Sequence, residues 1–189
     1  VSENAREAIL TAAKSAAQLH GYGGINFRSI ADEVGIKNAS IYYHFPSKAA
    51  LGSAVARRYW EDTSTALAQI RTTHSDPWEC LQQFPSIFRT SLENANRLCL
   101  SSFMAAEYED LPEEVTAEVR AFADINVAWL VRVLEDADWG DAHSRERRAR
   151  AIYTAVAGAQ LIARTHADIQ QFDDLIASYK ESGLIPSPG

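Results

Sequence analysis

The stretch Phe27–Leu51, FRSIADEVGIKNASIYYHFPSKAAL, decides the fold. Asn26 is a good N-cap, and Phe27, Ile30, Ala31 and Val34 follow it at helical spacing, so a helix begins at Phe27. Gly35 and Ile36 form a tight corner, and Asn38–His44 makes a short further helix. Two helices joined by a glycine-containing turn, the second short and polar on one side, form a helix-turn-helix. In such units the first helix braces across the DNA backbone, and the second places side chains against base edges in the major groove. Ile30, Val34, Ile36 and Ile41 are expected to point inward, which leaves Lys37, Asn38, Ser40, Tyr43 and His44 projecting outward.

The outward residues have suitable chemistry. Lys37 can neutralise a phosphate or donate to guanine, and Asn38 can pair bidentately with adenine. Ser40 reaches base or phosphate. Tyr42, Tyr43 and His44 can donate to phosphate oxygens while their rings pack on sugar or thymine methyl groups. Tyr42 is either partly buried against the core or exposed, and Tyr43 is expected to be exposed. Lys48 places a cation at the start of the next helix, whose positive dipole end already favours phosphate. Asn26 and Arg28, at the start of the first helix of the motif, complete the DNA-binding set.

The same residues resemble the DNA-binding signature of the TetR family of bacterial repressors. That signature joins an Ile-Ala pair, a Gly turn, a Tyr followed by aromatic or His residues, and Phe-x-x-Lys-x-x-Leu. Here these are Ile30-Ala31, Gly35, Ile41-Tyr42-Tyr43-His44-Phe45, Lys48 and Leu51. The resemblance covers about residues 5–52, roughly a quarter of the chain. It implies that Tyr42, Tyr43, His44 and Lys48 touch DNA, with Lys37, Asn38 and Ser40 nearest the bases. Two positions depart from it. Lys37 stands where the family has a small capping Ser or Thr, which leaves Asn38 as the next candidate cap. Ala16 and Ala17 stand where bulkier residues are usual, so the first helix is expected to pack closer or less tightly.

Outward from the motif, almost everything reads as helix, and the fold class is all-α. A first helix spans about Glu3–His20 and ends at Gly21, Gly23 and Gly24. After Pro46, Ser47 caps a long helix from Lys48 to about Thr72. Further helices are expected over residues 77–94, with Pro85 as a kink, and over 98–109, 113–138, 144–165 and 168–182, about nine in all. Residues 1–50 form a three-helix DNA-binding domain on this reading, and residues 51–189 form a helical effector-binding and dimerisation domain.

The charge of −7 conceals an asymmetry. Residues 1–60 carry Arg6, Lys14, Arg28, Lys37, Lys48, Arg57 and Arg58 against Glu3, Glu7, Asp32 and Glu33, a balance of +3 that leaves −10 for the rest. Phosphate repels an acidic surface, so only the N-terminal third is suited to nucleic acid. No apolar run reaches the roughly 18 residues that span a bilayer. No basic segment precedes an apolar one at the start, so a cytoplasmic protein without membrane contact is expected. Cys80 and Cys99 lack disulfide-framework or metal-ligand spacing. The five histidines form no metal pair, and there is no phosphate loop or nucleophile elbow, so neither enzyme activity nor a cofactor or metal is expected. A helical enzyme or an architectural DNA binder remain the competing classes.

For the remaining two-thirds, the resemblance implies a ligand-binding and dimerisation domain. Ala155, Ala157, Gly158, Ala159 and Ala163 concentrate small residues on one helix, which lets two helices approach closely. With Ile162 from that helix and Phe172, Leu175, Ile176 and Tyr179 from the last, Ala155, Gly158 and Ala159 would build a four-helix bundle across a two-fold axis. Pocket candidates for a medium-sized, partly apolar effector are Trp60, Phe84, Phe88, Cys99, Phe103, Met104, Glu107, Phe122, Asn126, Trp129 and Tyr153. The segment from Leu98 to Glu107 also resembles a subgroup of TetR regulators with a cysteine at the Cys99 position, some of which respond to electrophiles. A reactive thiol needs exposure and a lowered pKa, so Cys99 is either such a sensor or a buried inert residue. Arg145, Arg147, Arg148 and Arg150 read as a solvated face or as ion-pair partners. The expected mechanism is allosteric: effector binding tilts the Lys48–Thr72 helix and changes the separation of two reading heads.

Overall fold

A computed structural model describes residues 2–188. Among them every regular element is helical: α1 (Ser2–His20), α2 (Phe27–Val34), α3 (Asn38–His44), α4 (Lys48–Thr73), α5 (Pro77–Gln83), α6 (Ser86–Glu93), α7 (Leu100–Ala106), α8 (Glu113–Asp136), α9 (Ala142–His166) and α10 (Ile169–Glu181). Two short 3₁₀ turns, Tyr22–Gly24 and Tyr108–Asp110, complete the order. No helix among the described residues is long and apolar enough to cross a membrane.

The expected all-α class holds, with two local corrections. The helix expected over residues 77–94 is broken. Pro85 has no N–H to continue the ladder, so α5 ends at Gln83 and α6 starts at Ser86. The helix expected from Leu98 starts later, at Leu100. Ala95 and Asn96 turn left-handed (φ 56° and 55°), and the Cys99 N–H donates to the Gln160 side chain (3.0 Å) rather than to a helical carbonyl.

The chain packs as two compact units, one of residues up to Glu61 with Leu100–Phe122, the other of Asp62–Cys99 with the chain from Ala123 on. In the first unit, Ile9, Leu10, Ala13 and Ala17 of α1 share a buried core with Phe27, Ile30, Ala31, Ile41 and Phe45. Leu51, Val55 and Ala56 of α4, together with Leu100, Met104 and Val115, close that core. Of the two small residues where bulkier ones were expected in α1, Ala17 is buried and Ala16 half-buried. Arg57 donates to Glu118 (3.0 and 2.5 Å), and Trp60 Nε1 donates to the same carboxylate (2.7 Å).

In the second unit, α9 packs on α6 and α10, and α10 also packs on α6. Phe84 stacks on Trp129 (5.8 Å) and meets Phe88 (5.9 Å), which meets Tyr153 edge-on (6.0 Å). Trp129 Nε1 donates to the Leu67 carbonyl (3.1 Å). Buried Gln160 accepts from the Cys99 N–H and donates to the Phe88 carbonyl (2.5 Å), so its amide is satisfied at both ends. Arg89 makes a two-point contact with Asp173 (2.8 and 2.9 Å).

Candidate nucleic-acid interface

The reading element is α2, the turn at Gly35 and α3. Asn26 begins it: its side chain accepts from the Ser29 N–H (3.1 Å), which leaves its amide nitrogen for other partners. Gly35 ends α2 at φ 75°, ψ 33°, a left-handed conformation that costs a Cβ-bearing residue about 1–2 kcal/mol. The buried side chains Ile30 and Ile41 pack the two helices together, with Val34 and Ile36 half-buried against the same core. Lys37 is the N-cap of α3 and makes no side-chain cap bond, while Asn38 is the first helical residue. The cap has not moved to Asn38; α3 begins without one.

This packing sets which residues face out. Tyr43 is 82% exposed and Tyr42 54%, while Arg28, Lys37 and Asn38 are exposed and Ser40, His44 and Lys48 half-buried. Tyr42 is held edge-on against Phe27 (4.8 Å), so its ring is anchored while its hydroxyl end stays in solvent. Tyr43 meets only the neighbouring His44 ring (5.1 Å) among the ring contacts described. Ser47 Oγ accepts from the Ala50 N–H (3.0 Å) and starts α4. Lys48 Nζ lies 4.6 Å from the Tyr22 ring centre and 3.5 Å from the Gly23 carbonyl. Of the residues expected to project outward, Lys37, Asn38 and Tyr43 are exposed, while Ser40 and His44 are half-buried. Sequence spacing missed the Tyr22–Gly23 support under Lys48, because those residues lie 25 positions away and look like an ordinary glycine-rich connection.

The effector candidates fall into both units. Phe84, Phe88, Trp129 and Tyr153 form the aromatic chain of the second, where Asn126 is buried too. Burial, with Cys99 and Asp124 adding, pushes the Tyr153 phenol upward. Cys99 is buried in the second unit at 1% exposure, which withholds the access that a reactive thiol requires. In the first unit Met104 belongs to the buried core, Phe122 stacks on Tyr59 (5.4 Å), Trp60 bonds Glu118 and Phe103 is half-buried. Glu107 accepts from the Tyr22 N–H (2.7 Å). Clefts of about 490 Å³ beside Trp139, Arg147 and Arg148, and about 330 Å³ beside Pro85, Arg89 and Ile176, have linings that include none of the candidates except Phe172 and Ile176 from the dimer set.

Of that dimer set, Gly158 and Ile162 are exposed on α9 with Leu161 beside them, and Ala155, Leu175 and Tyr179 are half-buried. Ala159, Phe172 and Ile176 are buried within their own unit. Three of the four arginines of the run engage ion pairs and carbonyls: Arg145 with Glu135 and the Trp139 carbonyl, Arg148 with the Gly183 and Leu184 carbonyls, Arg150 with Glu146.

Comparison with known proteins agrees with this geometry. The family described as bacterial regulatory proteins, tetR family, matches residues 9–55. A TetR-family transcriptional regulator from Agrobacterium tumefaciens is 29% identical, with a TM-score of 0.88 over 96% of this chain and 98% of that one. A TetR transcriptional regulator from Legionella pneumophila is 30% identical, with a TM-score of 0.86 over 93% of this chain and 95% of that one. The transcriptional regulator LmrA of Bacillus subtilis is 35% identical over 82 residues, which span 43% of this chain and less than half (44%) of that protein. A helix-turn-helix with an outward tyrosine pair, matched by the family's DNA-binding segment and by full-length relatives, places this chain in the TetR family of DNA-binding transcriptional regulators.

Proposed function

We propose that the protein is a cytoplasmic, non-enzymatic repressor that binds a palindromic operator as a homodimer and is released by a small effector. Residues 1–50 read the DNA and residues 51–189 bind the effector and pair the subunits. The observation that carries the reading is the outward face of α3. Tyr43 stands in solvent, Tyr42 is braced by Phe27, and Lys37 and Lys48 flank them on the basic third of an acidic chain. Tyrosine hydroxyls and lysines so placed anchor phosphates, while Asn38 and Ser40 reach base edges.

Support for pairing comes from α9, where Ala151, Thr154, Gly158, Leu161, Ile162 and Thr165 are exposed at three- and four-residue spacing. A Cβ placed on Gly158 would meet nothing within 4 Å, so a neighbouring helix has room to approach closely there. The effector, a partly apolar molecule, is assigned to the aromatic residues of the second unit around Phe88 and Tyr153. α4 is one uninterrupted helix from Lys48 to Thr73, and its tilt would carry the signal by changing the separation of two reading heads.

Selection of bound fragments from a random DNA pool tests this reading. The expected result is a palindrome whose half-sites lie about one helical turn, roughly 34–36 Å, apart or a multiple of it. Enrichment of a single unpaired half-site would overturn the dimer, and no enrichment at all would overturn the assignment of the reading head.

A further inference from the structure

The turn between α1 and α2 is Gly21-Tyr22-Gly23-Gly24, three glycines in four residues. Such a segment loses more backbone freedom on ordering than any other, so it needs an outside tie to hold one shape. Glu107 supplies the tie. Its Oε2 accepts from the Tyr22 N–H at 2.7 Å, and its Oε1 lies 3.5 Å from the Gly23 nitrogen. The fit is close: Gly21 sits at φ 67°, ψ −162°, and a Cβ there would come within 2.2 Å of the Glu107 carboxylate. Bonds to an ionised acceptor are stronger than neutral ones.

The same turn sets Lys48. Its ammonium rests 4.6 Å from the Tyr22 ring centre and 3.5 Å from the Gly23 carbonyl. The Tyr22 ring is itself fixed, since a Cβ on Gly52 would lie 2.6 Å from a ring carbon and 3.3 Å from Val115. Tyr22 and Gly23 therefore receive Glu107 through their backbone N–H groups, while the Tyr22 ring and the Gly23 carbonyl receive Lys48. A cation held in place before binding loses less freedom when it meets phosphate.

We propose that Glu107 is a positioning residue for operator binding, which fixes Lys48 through the Tyr22–Gly23 turn without touching DNA, and is not part of the effector site. This rests on the reading of Lys48 as a phosphate contact. The test uses the full chain and a DNA fragment that the parent enriches from a random pool, titrated over a range of NaCl. Lys48→Ala is expected to weaken binding about tenfold and to reduce the salt slope by about one. Glu107→Gln keeps the shape and removes the charge; it is expected to weaken binding about three- to tenfold, with a reduced slope, and to cost nothing further in a Lys48→Ala background. Glu107→Asp, one methylene short, is expected to behave like Glu107→Gln.

If Lys48→Ala binds like the parent, the phosphate reading of Lys48 fails. If Lys48→Ala weakens binding but Glu107→Gln adds its full loss on top, Glu107 does not act through Lys48. Parental binding by Glu107→Asp beside a loss in Glu107→Gln would point to a long-range charge effect and overturn the positioning role.

Discussion

Tyr42 and Tyr43 are neighbours in sequence with different physical standing. Tyr42 leans its ring edge on Phe27, so part of its value is structural; Tyr43 has little protein around it. Tyr43→Ala is expected to weaken operator binding by about 1.5–3 kcal/mol, the worth of a hydrogen bond to a charged group, while shifting the unfolding free energy by no more than about 0.5 kcal/mol. A DNA titration beside a urea melt separates the two effects. The tyrosine pair was legible in the sequence, because local spacing determines which side of a short helix a residue occupies. Glu107 was read in the sequence as an effector-pocket candidate, and its contact with Tyr22, 85 positions away, was not legible there. Glu118 was not singled out at all. Burial pushes its carboxyl up, and the Arg57 guanidinium and Trp60 indole outweigh that and hold it below the usual carboxylate range. The folded carboxylate thus releases its proton more readily than the unfolded one. Its contribution to stability is complete above about pH 4.3 and is lost as pH falls through the folded value. Urea midpoints measured down to about pH 3 are expected to fall less steeply in Glu118→Gln than in the parent.

Several helix starts were readable, although α9 begins at Ala142 rather than at the expected residue 144. Asn26, Asp76, Asp141 and Asp168 each accept a hydrogen bond from the first turn of their helix, and Pro77 follows Asp76 where a missing N–H costs nothing. These bonds span two or three residues, so short-range sequence dictates them. α3 lacks such a bond, as α6 does behind Pro85: Lys37 occupies the N-cap of α3 with an extended backbone and no side-chain bond. Lys37→Ser is expected to stabilise the fold by about 0.5–1 kcal/mol by supplying the missing bond. It is also expected to weaken operator binding and flatten its salt dependence, because a cation leaves the reading face. Thermal melts and salt-dependent titrations on the same variant check both signs; a variant that binds as tightly as the parent would remove Lys37 from the interface. The later start of α7 was not readable, because the Cys99 N–H is claimed by Gln160, 61 positions further on.

For the whole molecule, charge segregation and an exposed stripe on α9 are the features on which the proposed DNA binding and pairing rest. Gly158 lies exposed on that stripe with open space where a side chain would begin. Gly158→Leu is expected to leave the subunit fold intact, to shift the sedimenting species from dimer to monomer, and to abolish high-affinity binding to a palindromic site. An unchanged sedimentation coefficient in a dimeric parent would move the interface elsewhere. The all-α class and the helix-turn-helix were legible in the chain alone, because helical periodicity, caps and glycine turns act over a few residues. Tertiary packing alone brings Leu100, Met104 and Val115 into the core beneath α2 and α3, and sets Glu107 against the turn supporting Lys48. Those contacts join residues some 25 to 100 positions apart, and packing of side chains that distant leaves no periodic trace in the chain. The motif that names the family is local; what holds its Lys48 in place is not.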